Sequence, residues 1–353
     1  MRKIALSLIV LVSATVLSGC SLVPAAPTKT PVANPNNSIW ASFDSGKTWL
    51  NNFLPNGKTD ISGVDVLSIA INPFDAKNVF VGTRGGGVLK TDNGGDNWEY
   101  LKFQPEKVYG LDIDPTDGKT IYASGVWQKR GKIYKSLDAG VKWDEIYTTA
   151  SAGPLVISLV IDKKSPNTVY ATTSDNQVIK TTDGGTSWSN IFTATAPVLD
   201  VVIDSGNSSL IYAVTQNGDI LRSKDAGKEF ESLPRVVGST VKINVNFNLI
   251  EGDPVNGNWI YATGQEGLFR SKDAGDNWEK IEILSVPQTF PVKALAINPR
   301  NSSEIVYGAA QAAYRSLDGG SNWETFQFNV SKTVRVIKYA PHDSTNLYLG
   351  LAK

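Results

Sequence analysis

The sequence predicts an all-β fold, a single seven-bladed β-propeller of four-stranded antiparallel blades. A polar turn closed by an aromatic residue returns seven times, its aromatics 42–49 residues apart, about the length of one blade. The chain also begins and ends in mid-repeat, with six whole repeats between, so its two ends add up to one complete blade, the seventh. With 31 glycines and 9 tryptophans against one methionine, composition favours turn-rich β-structure, and no convincing helical period appears after residue 20.

The turn reads Ser or Thr, Asp two positions on, Gly four on and Trp or Phe seven on. Its copies start at Ser42, Thr91, Ser136, Thr181, Ser223, Ser271 and Ser316. The second positions are Asp44, Asn93, Asp138, Asp183, Asp225, Asp273 and Asp318. A short hydroxyl and a carboxylate can bond nearby backbone N–H groups, glycine supplies positive φ, and the ring packs beneath the hairpin. These side chains are expected to be structural, with a looser turn at Asn93.

Around each turn an apolar strand (A) ends near Asn-Pro, as at Pro73 and Pro299. A second strand (B) follows, a third (C) runs into the turn, and a fourth (D) leaves through its aromatic. The chain starts with a C strand at Ile39–Ser42 and a D strand at 48–53; it ends with an A strand at 333–339 and a B strand at 346–351. Pairing these ends would close the ring and remove its free sheet edges. Alternate A-strand residues are small (Ser68, Ala70, Gly110, Ser158, Ala294, Ala296), as crowding round a narrow channel requires. Asp112, Asp200 and Lys338 interrupt that set and are expected to bind one another, water or backbone.

Ahead of residue 38 the composition changes. Arg2 and Lys3 precede an apolar run from Ile4 to Leu17, the build of a signal peptide over residues 1–19. Leu17-Ser18-Gly19-Cys20 is similar to the bacterial lipobox, which implies lipid attachment at Cys20. Residues 20–37, with four prolines, read as an extended tether, leaving 38–353 for the propeller. The expectation is a monomeric body in the cell envelope, lipid-anchored on the outward side of a bacterial membrane.

Formal net charge is zero, which gives no global attraction for nucleic acid. One histidine, His342, and one cysteine exclude a histidine zinc site, a Cys/His pair and a disulfide framework within one chain. His342 falls in a turn. No metal or cofactor is expected.

The recurring turn resembles the Asp-box, or BNR repeat, over almost all of the chain after residue 37. It is similar to propellers of sialidases, sortilin-type receptors, xyloglucanase-type hydrolases and, most of all, photosystem II assembly or stability factors. That resemblance implies a non-catalytic interaction or assembly scaffold, with a glycoside hydrolase or glycan-binding propeller as the alternative. Sialidases of this kind carry an aromatic-Arg-Ile-Pro element, whereas the only Tyr-Arg pair, Tyr314-Arg315, runs into Ser316. Xyloglucanase-type propellers carry Thr-Asp-x-Gly-Gly between strands B and C, where this chain has Thr83-Arg84-Gly85-Gly86-Gly87. On those grounds the chain is expected not to be an enzyme.

Function is expected on the upper face, formed by the B–C and D–A loops, with an unknown protein or glycan as partner. The B–C loops offer Arg84, then Trp127, Lys129 and Arg130, then Asp175, Asp219 and Glu266; Arg335 starts the last A strand. These suggest a basic arc opposed to an acidic one, with Trp127 as a stacking anchor. Basic residues before each later turn (Lys90, Lys135, Lys180, Arg222, Arg270, Arg315) are expected to pack between blades.

Overall fold

A computed structural model describes residues 37–51, 59, 61–150, 152–237 and 243–353. All regular elements among them are strands. Blades 2 to 7 follow chain order. Their A strands are Asp65–Ile71, Lys107–Ile113, Val156–Ile161, Val198–Ile203, Phe247–Gly252 and Val292–Asn298. Each leads into strands B, C and D, paired antiparallel in sequence order. The A strands touch their neighbours in ring order, and the ring closes through the A strand of blade 1, Thr333–Ala340.

Blade 1 is made by the two ends of the chain. Asp343–Ala352 pairs with Thr333–Ala340 on one side and with Ile39–Ser42 on the other, with Ile39 opposite Gly350 and Ser42 opposite Leu347. A bridge from Ala41 to Leu50 is all of the expected fourth strand at 48–53 that forms among the described residues; residues 52 and 53, the signal segment 1–19 and nearly all of the tether with Cys20 lie outside them. The Leu351 N–H donates to the Ser38 carbonyl at 2.7 Å. Lys332, buried, donates to Ser38 Oγ at 2.7 Å and to the Val64 carbonyl at 2.5 Å, joining both termini to blade 2.

The recurring turn has one geometry throughout. In the copy at Ser316, the hydroxyl donates to Asp318 Oδ1 at 2.9 Å and accepts the Gly320 N–H at 2.8 Å. Asp318 Oδ1 also accepts the Asn322 N–H at 2.8 Å, and these bonds pull its pKa down to about 2, the Asn322 side chain contributing most. Asp44, Asp138, Asp183, Asp225 and Asp273 accept the same hydroxyl and the N–H four residues on. Asn93 makes both bonds as well, at 2.9 Å each, so its turn is not loosened.

Two consecutive left-handed residues shape this turn. Besides the invariant glycine, the residue before it has positive φ, from 57° at Ala139 to 77° at Gly94, and is Ser, Ala or Gly in all seven copies. Its N–H donates to the turn between strands A and B of the same blade or to the start of strand B, as Ala274 to Asn258 and Gly319 to Ser303. The Asp-box turns and the A–B turns therefore share one face, leaving the B–C and D–A loops on the other.

Blade-to-blade contact is repeated in the same way. A ring from strand B lies fully buried, as Phe80, Tyr122, Tyr170, Tyr212, Tyr261 and Tyr348. The cation before the turn covers it: Lys135 Nζ lies 5.1 Å from the Tyr122 ring and Lys180 Nζ 5.0 Å from that of Tyr170. Lys135 and Tyr122 both donate to the Gly184 carbonyl in the next blade. Arg222 reaches the Ala274 carbonyl and Asp276 in the same direction, while Lys90, Arg270 and Arg315 pair within their blades with Asp92, Glu279 and Glu324. These cations are spent on packing and ion pairs.

Candidate functional site

Every A strand carries a β-bulge at one register position, since pairing with strand B skips a residue. The skipped residues are Leu67, Tyr109, Ile157, Leu199, Asn248, Lys293 and Arg335. The residue before each is buried, whereas Lys293 and Arg335 are exposed and the other five half-buried. Because strand A is innermost, the solvent it meets is that of the central channel, and its N-terminal half lies toward the upper face. The bulges thus form one ring round the upper mouth.

Deeper in the channel, four charged side chains converge from blades 3, 5, 6 and 1. Lys338 Nζ lies 3.3 Å from Glu251 Oε2. Asp200 accepts the Ser158 hydroxyl at 2.6 Å, and Asp112 Oδ2 accepts the Ile161 N–H at 2.8 Å. Burial raises the pKa of Asp200 to about 6, against the lowering effects of Ser158 and Lys338, and burial raises that of Asp112 too. Glu251 in turn is the main cause of the upward shift at Lys338.

The upper-face residues singled out in the sequence fall into two groups. Arg84 is exposed and lies 3.6 Å from Asp65. Asp219 takes a short ion pair from Arg235 at 2.5 Å, and Arg130 donates to the Thr149 carbonyl. Trp127 is half-buried against the rings of Phe103 and Tyr134, with centroids 6.3 and 6.1 Å away. Lys129, held at φ 63°, and Asp175 and Arg335 are exposed without an ion pair among the described residues. Glu266 is half-buried, and its Oε2 has no hydrogen-bond partner there. His342 is exposed at the A–B turn of blade 1, on the opposite face. Sequence reasoning passed over Glu251, the bulge ring, and a small pairing of Val236–Val237 with Ile243–Asn244 in the connection from blade 5 to blade 6.

Comparison with known proteins agrees with an Asp-box propeller. Residues 218–349 match the family described as Sortilin, neurotensin receptor 3. An oligoxyloglucan-reducing end-specific xyloglucanase of Emericella nidulans is 26% identical over 120 residues, covering 31% of this chain and 14% of that protein. The chain thus spans about a seventh of this curated relative's length. Among solved structures, the GH74 enzyme of Niastella koreensis aligns at TM-score 0.67 and 17% identity, over 82% of this chain and 51% of that one. YCF48 from Cyanidioschyzon merolae aligns at TM-score 0.60 and 16% identity, over 81% and 95%. At such identities the structures establish the fold, which is shared with both groups.

The expectation that the chain is not an enzyme is thereby corrected. Its curated relatives are glycoside hydrolases, and the arginine in the Thr83–Gly87 turn alters one position without bearing on carboxylates elsewhere, such as the exposed Asp175.

Proposed function

We propose that the chain is a recognition propeller, lipid-anchored through Cys20 on the outward side of a bacterial membrane, that presents its upper face to a polypeptide of a larger assembly. The observation that carries this reading is where charge is left unspent. The Asp-box carboxylates and the cations before them are consumed in turns and blade contacts, whereas the upper face keeps Lys129, Asp175 and Arg335 without an ion pair among the described residues. Support comes from coverage too: YCF48 in complex with a D1 peptide aligns over 94% of its length, against 51% for the GH74 enzyme.

The test is chemical cross-linking in isolated envelopes, with adducts identified by mass spectrometry. Arg84→Glu combined with Lys129→Glu should remove most polypeptide adducts, while Lys142→Glu with Lys228→Glu, on the opposite face, should leave them. Equal adduct yields from the two variants would contradict the reading.

A second reading, action on xyloglucan-type glycans, is favoured by the curated relatives. It predicts release of reducing ends from xyloglucan, abolished by Asp175→Asn or Glu266→Gln. Absence of turnover at enzyme concentrations that would reveal slow hydrolysis would sink it.

A further inference from the structure

We propose that the upper mouth of the central channel binds a single-chain amphiphilic anion, an acyl chain ending in a carboxylate or phosphate. The inference rests on the reading of the upper face as the recognition face. Its basis is the order of the bulge residues round the ring. Leu67, Tyr109, Ile157 and Leu199 come from four successive blades, and Lys293 and Arg335 from the two neighbouring blades that complete the arc beyond Asn248. The mouth is therefore divided into an apolar side and a cationic side.

Each side has its chemistry available. Neither Lys293 nor Arg335 makes an ion pair among the described residues. Asp65, the acid at the same rim, is engaged by Arg84 and Lys332. Asn248 Oδ1 is occupied by the Thr263 hydroxyl, so the Asn248 amide N–H and the Tyr109 hydroxyl are the side-chain polar groups left on that side, too few to satisfy a peptide backbone. An extended peptide laid there would leave amides unpaired, a cost that an acyl chain does not incur. Below the mouth, Asp112, Asp200 and Glu251 outnumber Lys338, so an anionic head is attracted to the rim and turned back from the interior.

Isothermal titration calorimetry of the purified chain with decanoate, decyl phosphate, decanol and decyltrimethylammonium tests this. Decanoate or decyl phosphate should bind with one site per chain. Lys293→Glu with Arg335→Glu should weaken that binding about tenfold or more, and Ile157→Ser should weaken it while keeping the preference for anions. Tighter binding of decanoate identifies a carboxylate source, and tighter binding of decyl phosphate a phosphate headgroup. Decyltrimethylammonium or decanol binding as well as the anions, or anion affinity unchanged in the double variant, overturns the proposal. Failure here with cross-linking still sensitive to Arg84 and Lys129 would sink the amphiphile site alone; loss of that sensitivity would sink the broader reading.

Discussion

Lys338 reaches Glu251 at 3.3 Å across the central channel, from the A strand of blade 1 to that of blade 6, with Asp200 and Asp112 close enough to act on its charge. This places a titrating group at the hub of the ring. Asp200 has its pKa raised from 3.8 to about 6, so between those values the folded chain holds a proton that the unfolded chain has lost. The stability linked to Asp200 is present below pH 3.8 and is lost as pH rises through about 6. Thermal melts at constant ionic strength should show this decline in the parent and a flatter profile in Asp200→Asn.

The Asp-box carboxylates act in the opposite sense. Asp318 is held at about 2, below its ordinary 3.8, so its contribution is present above 3.8 and disappears as pH falls through about 2. Asp318→Ala should lower the melting temperature at neutral pH and bring parent and variant closer together in acid.

Blade 1 offers a direct test of closure. A Cβ on Gly350 would lie 2.2 Å from Val66 Cγ1 and 2.9 Å from Val336 Cγ1, between blades 1 and 2. Gly350→Ala should cost about 1–3 kcal/mol in urea unfolding, through overpacking at the joint. Deleting residues 333–353 should expose two sheet edges and lead to aggregation.

Left-handed alanines give a stabilising prediction. Ala139, Ala226 and Ala274 have φ of 57°, 61° and 62° in the position before the Asp-box glycine, where three other copies use glycine. Ala274→Gly should raise stability by about 1 kcal/mol, the relief of a crowded Cβ exceeding the added freedom of the unfolded chain. A fall in the urea midpoint would count against strain at this position.

Much of this architecture was legible because its signals are local. The hydroxyl, carboxylate and glycine of each turn are fixed by bonds spanning two to four residues, so their spacing survives in sequence, as does the split blade at Ile39 and Gly350. The bulge ring was hidden because a skipped residue shifts the inward–outward alternation by one, and Tyr109 or Leu199 then looks like another core residue. Glu251 was missed because its partner, Lys338, is 87 residues away and meets it only when the ring closes. The enzyme question was answered too narrowly, from motif positions such as Arg84, although carboxylates supplied by other blades escape such a test.

Hydroxyl-radical footprinting of the chain in its native envelope, set against the purified chain, bears most directly on the upper-face assignment. Protection should fall on residues 84–87, 128–131 and 333–336, with the Asp-box turns, such as 137–142 and 317–322, as reactive as in the purified chain. Protection centred on those turns, with the upper loops unchanged, would contradict it.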